Sequence, residues 1–536
     1  MGYWAQPERA RDQLVLFHQR LDDAIPADHP VRLFDEILGR IDWSAWEAEY
    51  HGWRGQPPIH PRVLAAVLLY GLLKKVRSSR ALEDALRMRI DFHWLAEGRS
   101  IDHTTLSEFR RTRGPRLKDL FVQVVLVARE IGLAKLETLA YDGTRLRADN
   151  RLRGAKTPDE LRKLRAELAR LYEEQERRLA EEDLREQTLF GSIEKSKLPE
   201  DLADTARRLA RVDAALAELD RVEKAGESVP RRIPMTDPES RILPNKEGAF
   251  APNYTPLATV DVPSGMIAAC DVIQTTDEHL SLIPQIERVR EDFALPQPPP
   301  EVLADGAMPT GANLKALDEM GVTMYAPAKS LDPARNPALR DDPTQPVPEE
   351  RWDELPTVGV RNKAGAKQQQ LKKDAFIYDA DRDCYWCPRG KRLSRTSQTS
   401  CKRATGRQVR VIYRPPVEDC AACPLKSLCV KQGGTRREVT RPENEEYVEQ
   451  LARRMATPEA QAKYAQRSHA AERPFATIKQ QFAARRFLLR GLEQVRIEWR
   501  WLATAFNVHR LMTLIRSRAG PPDQPLSLSA PSPAAC

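Results

Sequence analysis

Two aspartates stand directly after short apolar runs, and a glycine follows each of them. Asp142 ends the run 136–142, and Asp305 ends the run 301–305. Both runs predict strands. A strand end presents its side chain at the rim of a sheet, and the glycine lets a metal ion or the backbone approach closely. Because a single Asp-Gly after a strand is usually only a turn, the pair indicates chemistry only if a third acidic side chain joins it.

Glu472 supplies that third side chain, in a segment predicted to be helical. Carboxylates can hold two divalent cations about 4 Å apart, so that one activates a water or a 3′ hydroxyl while the other stabilises the leaving oxygen of a phosphodiester. Such hard oxygen ligands select Mg²⁺ or Mn²⁺. Composition and spacing alone therefore predict no more than a metal-dependent nuclease with two metal ions per active site.

The C-terminal region is strongly basic. Lys479 lies seven residues after Glu472, which would place both on one face of an uninterrupted α-helix. From Arg473 to Arg518 the sequence contains ten Lys or Arg and two Glu, which predicts a DNA surface. The alternative is an ordinary charge pair on a solvated helix. The residues predicted to contact phosphates here are Arg467, Lys479, Arg485, Arg486 and Arg490.

The first 132 residues predict short helices joined by tight turns, a pattern compatible with a helix-turn-helix. Pro61 stands at the start of an apolar helix, serines in 77–80 can cap a second helix, and Thr104 with Thr105 can cap a third. A helical bundle with a solvated basic face fits the pattern equally well. The residues predicted to meet phosphates here are Arg77, Arg80, Arg110 and Arg111.

Cysteines recur at metal-like spacing later in the chain. The pattern is Cys384-x₂-Cys387 followed by Cys420-x₂-Cys423-x₅-Cys429. Thiolates two residues apart can chelate one ion, and four of them close a structural zinc site. Cys384 and Cys401 compete for the fourth position. An iron–sulfur cluster and unliganded thiols are the alternatives.

The overall composition excludes several classes of protein. Lys and Arg outnumber Asp and Glu by 85 to 77, giving a net charge of +8 that suits a polyanionic partner. No run approaches the roughly 18 apolar residues of a membrane span, and the N-terminus lacks the apolar core of a signal peptide. We therefore expect a cytoplasmic protein that does not contact membranes.

The periodicity predicts an α/β chain of several domains. Leucines every three or four residues within 159–224 predict two helices packed as an antiparallel hairpin. In chain order, the predicted segments are an N-terminal helical DNA-binding domain (1–132), the first part of a catalytic core (133–158), the helical hairpin (159–224), the core continued (225–375), a cysteine-rich insertion (376–430), the last part of the core with the glutamate helix (431–517) and a disordered tail (518–536).

The order of these motifs resembles the DDE transposases of bacterial insertion sequences. Tyr464, Arg467, Glu472 and Lys479 resemble the Tyr-Arg-Glu-Lys signature of the IS4/IS5 supergroup. Further motifs are similar to those of the IS1182 family: Pro-Pro-Ile-His-Pro-Arg (57–62), Leu-Leu-Tyr-Gly (68–71), Arg-Ser-Ser-Arg (77–80), Asp-His-Thr-Thr-Leu-Ser-Glu-Phe-Arg-Arg (102–111), Thr-Asp-Pro-Glu-Ser-Arg (236–241) and Leu-Leu-Arg-Gly (488–491). The chain departs from that family at Ile101 and Ala471, neither of which is a metal ligand.

The resemblance implies an RNase H-like catalytic core, a mixed sheet flanked by helices, with Asp142, Asp305 and Glu472 as its metal-binding triad. It implies hydrolysis and strand transfer at element ends, a double-stranded DNA partner (inverted-repeat ends and target), a homodimer on DNA, and a place at the bacterial nucleoid. It also implies a structural Zn²⁺ on Cys387, Cys420, Cys423 and Cys429. The competing functions are a nuclease of the same fold without strand transfer and a non-catalytic DNA-binding protein derived from a transposase.

Overall fold

The computed structural model describes residues 20–50, 57–190, 200–245, 248–361, 367–403 and 406–518. These residues form two compact units. The helical unit comprises the chain up to Ala134 together with 476–484 and 497–518, and the sheet unit comprises 135–475 and 485–496. The predicted boundary at 132 lies close to Ala134. The segments 476–484 and 497–518, predicted as part of the catalytic core, instead cluster with the N-terminal helices.

The helical unit is built from short helices, because polar caps and prolines punctuate its apolar runs. Its helices are α1 (Pro30–Gly39), α2 (Ser44–Glu47), α3 (Pro61–Leu73), α4 (Ser79–Met88), α5 (Ile90–Leu95), α6 (His103–Thr112) and α7 (Gly114–Glu130). Ser78 caps α4 through a bond from the Ala81 N–H, as predicted. The cap of α6 is a correction, because Asp102 accepts the Thr104 and Thr105 N–H groups in place of a threonine cap.

The core of the sheet unit is one mixed sheet. The strands of this unit's first half are β1 (Thr138–Gly143), β2 (Leu146–Arg147), β3 (Ala155–Lys156), β4 (Ile233–Pro234), β5 (Arg241–Pro244), β6 (Phe250–Asp261), β7 (Ile267–Ile273), β8 (Glu301–Leu303) and β9 (Thr323–Tyr325). Antiparallel pairs join β7 to β6 and β6 to β1, and parallel pairs join β1 to β8 and β8 to β9. The strand order β7-β6-β1-β8-β9 and the mixed directions are consistent with an RNase H-like core.

Two helices in succession form an arm on this unit. They are α8 (Pro158–Phe190) and α9 (Glu200–Lys224), and β3 pairs with β4 at their base. Leu161, Leu168, Val212 and Leu219 form their shared apolar core, as the leucine spacing predicted. The predicted break between the helices, at 191–199, lies outside the described residues.

The remaining helices flank the sheet or follow it in the chain. They are α10 (Leu282–Asp292), α11 (Gly311–Glu319), α12 (Val417–Ala421), α13 (Lys426–Cys429), α14 (Glu445–Met455), α15 (Pro458–Ala465), α16 (Arg467–Ala476) and α17 (Leu492–Arg518). Within the described ranges, none of the helices has the length and apolar composition needed to cross a membrane.

A second sheet and the segments that connect its strands contain most of the cysteines. Its strands are β12 (Ile377–Asp379), β13 (Cys384–Trp386), β14 (Arg392–Arg403), β15 (Gly406–Arg414) and β16 (Val439–Pro442), and a separate hairpin of β10 (Thr357–Arg361) and β11 (Lys367–Leu371) precedes it. Its apolar core extends from Ala338 to Val439. The packed region is therefore longer than the predicted insertion 376–430, because apolar residues of the preceding segment 338–375 are buried in the same core.

Candidate active site

Asp142 and Asp305 lie at neighbouring strand ends of the main sheet. β1 and β8 pair in parallel, and Ala140 is opposite Leu303. Each aspartate stands two residues beyond this pair, so the two lie at the same level of adjacent strands, which are about 4.8 Å apart. Both side chains are half-buried. Continuous burial of residues 138–141 fixes β1 as an interior strand and so holds Asp142 at the rim.

Arg467 reaches this rim from the start of α16. Its Nη2 lies 3.1 Å from Asp142 Oδ1, and the two side chains are 13% and 17% exposed, respectively. Burial raises the pKa of Asp142 to about 6, although Arg467 and the Gly143 N–H act against this, and the negative charges of Glu278 and Asp305 add to the increase. Among the described residues, the buried Nε–H of Arg467 has no hydrogen-bond acceptor. The arginine thus has a spare donor beside the carboxylates, where a phosphate oxygen could accept it.

Glu278 is an acidic neighbour that the sequence patterns did not single out. Its carboxylate packs against Gly143, where any Cβ would collide with it. Arg145 Nη1 binds its Oε1 at 2.7 Å, and the Tyr141 hydroxyl donates to its backbone carbonyl at 2.8 Å. The glycine after Asp142 therefore makes room for a carboxylate, a more specific reason than the close approach predicted from the Asp-Gly turn.

Glu472 lies on α16, and its side chain is exposed. Pro474 lies inside this helix, and residues Thr477–Gln481 continue it as a π-helix. The seven-residue spacing from Glu472 to Lys479 therefore crosses a change of helical pitch, which corrects the expectation of one uninterrupted α-helical face. Among the described residues, no three His, Cys, Asp or Glu side chains are arranged as ligands of one metal ion.

The chemistry of the donors at the rim fits a hard divalent cation. Asp142 and Asp305 offer carboxylate oxygens at the ends of neighbouring strands, the ligand type that Mg²⁺ and Mn²⁺ prefer. Burial already disfavours the negative charge of Asp142, so a cation beside it would stabilise the ionised form.

Two of the motifs on which the family resemblance rests contact each other just before α17. The Gly491 N–H donates to Asp237 Oδ1 at 3.1 Å, and the Leu492 N–H donates to Glu239 Oε2 at 2.7 Å. These carboxylates cap the start of α17 and fix the turn at Gly491, whose φ is +81°. The segment 236–241 therefore positions the segment 488–491.

The arginines of the basic segment that precedes α17 lie at the surface. Arg485, Arg486 and Arg490 are exposed, and Arg490 binds Asp149 at 2.8 Å. Arg486 lies 4.0 Å from the same aspartate. Surface ion pairs of this kind contribute little stability, so loss of the contacts of Arg486 and Arg490 with Asp149 would cost little free energy of folding.

The N-terminal arginines divide into two classes. Arg80 and Arg111 are exposed. Arg77 is buried against Glu498 at 2.8 Å, and Arg110 donates to the Arg77 carbonyl at 2.9 Å. The guanidinium groups of Arg77 and Arg110 thus have partners inside the helical unit, and burial lowers the pKa of Arg110. A structural role fits these two arginines better than the predicted phosphate contact.

Four cysteines surround one buried apolar pocket in the second sheet region. They are Cys387, Cys420, Cys423 and Cys429. The Lys391 N–H donates to Cys387 Sγ at 3.3 Å. Burial raises the pKa of Cys429 to about 12 and also raises that of Cys387. Cys384 is buried on β13 and does not line this pocket, and the side chain of Cys401 lies outside the described residues.

Two regions of the sequence match known protein families. Residues 386–512 match a transposase DDE domain, and residues 19–112 match a transposase domain of the DUF772 family. The two domains indicate an insertion-sequence transposase. Their pairing is typical of IS1182-family transposases, which confirms the predicted resemblance. No curated protein matches the chain.

The two matches lie on either side of the central part of the chain. The DDE-domain match contains the cysteine region, Glu472 and Lys479, whereas Asp142 and Asp305 precede it. The other match covers α1 to α6 of the helical unit. DNA is therefore the substrate class that the domains imply, and divalent metal ions are the normal cofactors of DDE transposases.

Proposed function

We propose that this transposase cuts phosphodiester bonds at the ends of its insertion sequence by two-metal-ion hydrolysis and then transfers the freed 3′ ends to target DNA. The observation that carries the proposal is the placement of Asp142 and Asp305 at the same level of neighbouring parallel strands. Arg467 beside them has a buried donor available for a phosphate.

Asp142, Asp305 and Glu472 would hold the metal ions, which would activate the attacking hydroxyl and stabilise the leaving oxygen. Glu472 would join the aspartates when the metal and DNA are bound. Arg467, Lys479, Arg485, Arg486 and Arg490 would grip the backbone near the scissile phosphate, while Arg80 and Arg111 would contact DNA at the helical unit. A homodimer would hold the two element ends.

An excision and integration assay tests the whole reaction. A donor plasmid carries a resistance marker between the two DNA ends that flank this gene, and a second plasmid supplies the transposase. Marker loss from the donor together with its appearance in new DNA supports transposition. Double-strand breaks without integration would support the alternative, a nuclease of the same fold.

A structural zinc at Cys387, Cys420, Cys423 and Cys429 is also proposed, because the four thiols surround one pocket. Protein purified without chelators should contain about one equivalent of zinc, and Cys420→Ser should lose the metal and destabilise the second sheet region. Cys270→Ser, in the main sheet, is the matched control and should keep the zinc. Elemental analysis that finds iron, or no metal, would contradict the zinc site.

DNA recognition and backbone grip are expected to reside in different parts of the chain. Lys479→Ala should reduce cleavage and cause a modest loss of DNA affinity that is the same for all sequences. Because one phosphate contact is lost, the slope of log affinity against log salt concentration should fall by about one. Arg80→Ala together with Arg111→Ala should instead reduce discrimination between element ends and random DNA, because both side chains are exposed and their replacement leaves the packing of the helical unit with 476–484 and 497–518 intact.

Competition binding with element-end and random duplexes measures both effects. Arg170→Ala, on the exposed face of α8, controls for the loss of one positive charge. A variant lacking both Arg80 and Arg111 that selected element ends as well as the wild type would overturn this division of labour.

A further inference from the structure

The second helix of the arm, α9, buries one face and leaves the opposite face open to solvent. On the inner face, Val212, Ala215 and Leu219 pack with Leu161 and Leu168 of α8. The residues of the outer face recur at helical spacing over the first four turns and are all exposed: Glu200, Asp204, Arg207, Ala210, Arg211 and Ala214. Within the described ranges, therefore, no other element covers this outer face of α9.

The charges exposed along this part of α9 are segregated by sign. Three carboxylates come first and three guanidinium groups follow them, in the order Glu200, Asp201, Asp204, Arg207, Arg208 and Arg211. All six side chains are exposed. The surface therefore changes from acidic to basic over about 16 Å of helix.

The needs of the helix itself account for only part of this pattern. The positive end of the helix dipole favours acidic side chains in the first turn, which explains Glu200 and Asp201. The dipole does not explain the three arginines, which lie in the interior of a 25-residue helix. Asp204 and Arg207 lie 3.6 Å apart, with side chains that are 58% and 61% exposed. An exposed pair of this kind contributes little to folding stability, so the fold of the arm does not require the segregation.

The pattern is complementary to itself when the helix direction is reversed. In an antiparallel pair of α9 helices with a two-fold axis between residues 205 and 206, Glu200 of each copy faces Arg211 of the other, and Asp204 faces Arg207. The two-fold axis generates each of these pairs twice. A parallel pair would instead set like charges opposite each other. Ala210, on the same face, has a side chain too small to hold two such helices apart.

We infer that the outer face of α9 is an interaction surface for the same face of a second copy of this chain, packed antiparallel to it. A second copy fits this face better than DNA does, because the carboxylates of Glu200, Asp201 and Asp204 would repel backbone phosphates. The inference rests on the proposed function for the role of the dimer, which is to hold two element ends. The contact itself requires no DNA.

Exposed ion pairs make up this contact, so salt should weaken it. Sedimentation equilibrium of the wild-type protein without DNA should show monomers and dimers in exchange. The dissociation constant should rise at least about 10-fold when the salt concentration is raised from about 0.05 M to about 0.5 M. A wild-type protein that stays monomeric at low salt, or a dimer that salt does not weaken, would overturn the inference.

A charge exchange tests the surface directly. An acidic-face variant carries Arg207→Glu and Arg211→Glu, and a basic-face variant carries Glu200→Arg and Asp204→Arg. Each variant alone sets like charges opposite each other, so its dissociation constant should rise at least about 10-fold. An equal mixture of the two variants should associate at least as tightly as the wild type, because every pair across the contact is then of opposite charge.

The matched control is Lys163→Glu with Arg177→Glu on the exposed surface of α8, which changes the net charge as much as the acidic-face variant does. It should dimerise as the wild type does. Recovery in the mixture shows that both variants are folded, because misfolded chains would not restore a specific contact.

Unchanged self-association of the acidic-face variant, or no recovery in the mixture, would overturn the inference and leave the proposed function intact. So would a loss of DNA affinity in the acidic-face variant with unchanged self-association, which would assign the arginines to DNA. A protein that dimerises through this face and never cuts DNA would contradict the proposed function alone.

Discussion

Asp142→Ala, Asp305→Ala and Glu472→Ala are each expected to abolish DNA cleavage while leaving DNA binding largely intact. Each substitution removes a proposed metal ligand, and the phosphate contacts come from other residues. We expect a rate loss of roughly 1,000-fold or more, which corresponds to about 4 kcal/mol of transition-state stabilisation. Cleavage of a labelled duplex with Mg²⁺ and a binding titration on the same substrate measure the two effects.

Asp318→Ala, an exposed aspartate on α11, is the matched control and should cleave normally. Glu278→Ala is added to test which glutamate is the third carboxylate of the site. Glu278 packs against Gly143 beside Asp142, whereas Glu472 is exposed. Retained cleavage in Glu472→Ala together with lost cleavage in Glu278→Ala would replace Glu472 by Glu278 as the third carboxylate. Retained cleavage in either aspartate variant would remove that aspartate from the site.

Glu498→Ala is expected to cause a large loss of stability in the helical unit. Glu498 is buried against Arg77 at 2.8 Å, and Arg110 bonds to the Arg77 backbone. Removing the carboxylate leaves two buried guanidinium groups without their counter-charge, a change that costs about 3–5 kcal/mol. Urea unfolding followed by tryptophan fluorescence measures this loss in the free energy of unfolding, because Trp46 and Trp501 are buried in the same unit.

Glu493→Ala provides the comparison for that loss. Glu493 lies near the start of α17, is 80% exposed and pairs only at the surface with Arg496. We expect its replacement to cost at most about 1 kcal/mol. Equal stability of the two variants would show that the Arg77–Glu498 pair does not hold the unit together.

The parts of the molecule that could be predicted from sequence are those set by local pattern. Asp142 and Asp305 end apolar runs, and the parallel pairing of those runs brings them to one rim. The leucine spacing of the arm predicted its packing for the same reason, because a helix face is fixed by residues within a few turns.

The features that escaped prediction depend on residues distant in the chain. Arg77 stands in a basic motif that suggests phosphate contact, yet Glu498, more than 400 residues later, is its partner. Glu278 belongs to no pattern, and its contacts with Gly143, Arg145 and Tyr141 bring it to the rim. The prediction that Glu472 and Lys479 share one helix face rested on an ideal α-helical period, and the π-helix at 477–481 breaks that period.

Cleavage at the ends of the element is the most direct test of the central claim. The purified protein is incubated with a labelled duplex that spans the boundary between the inverted repeat flanking its gene and the adjoining DNA, with and without Mg²⁺. The account predicts a Mg²⁺-dependent cut at that boundary with a free 3′ hydroxyl on the element strand. A protein that binds this duplex without cutting it, with either Mg²⁺ or Mn²⁺, would contradict the account and favour a non-catalytic DNA-binding role.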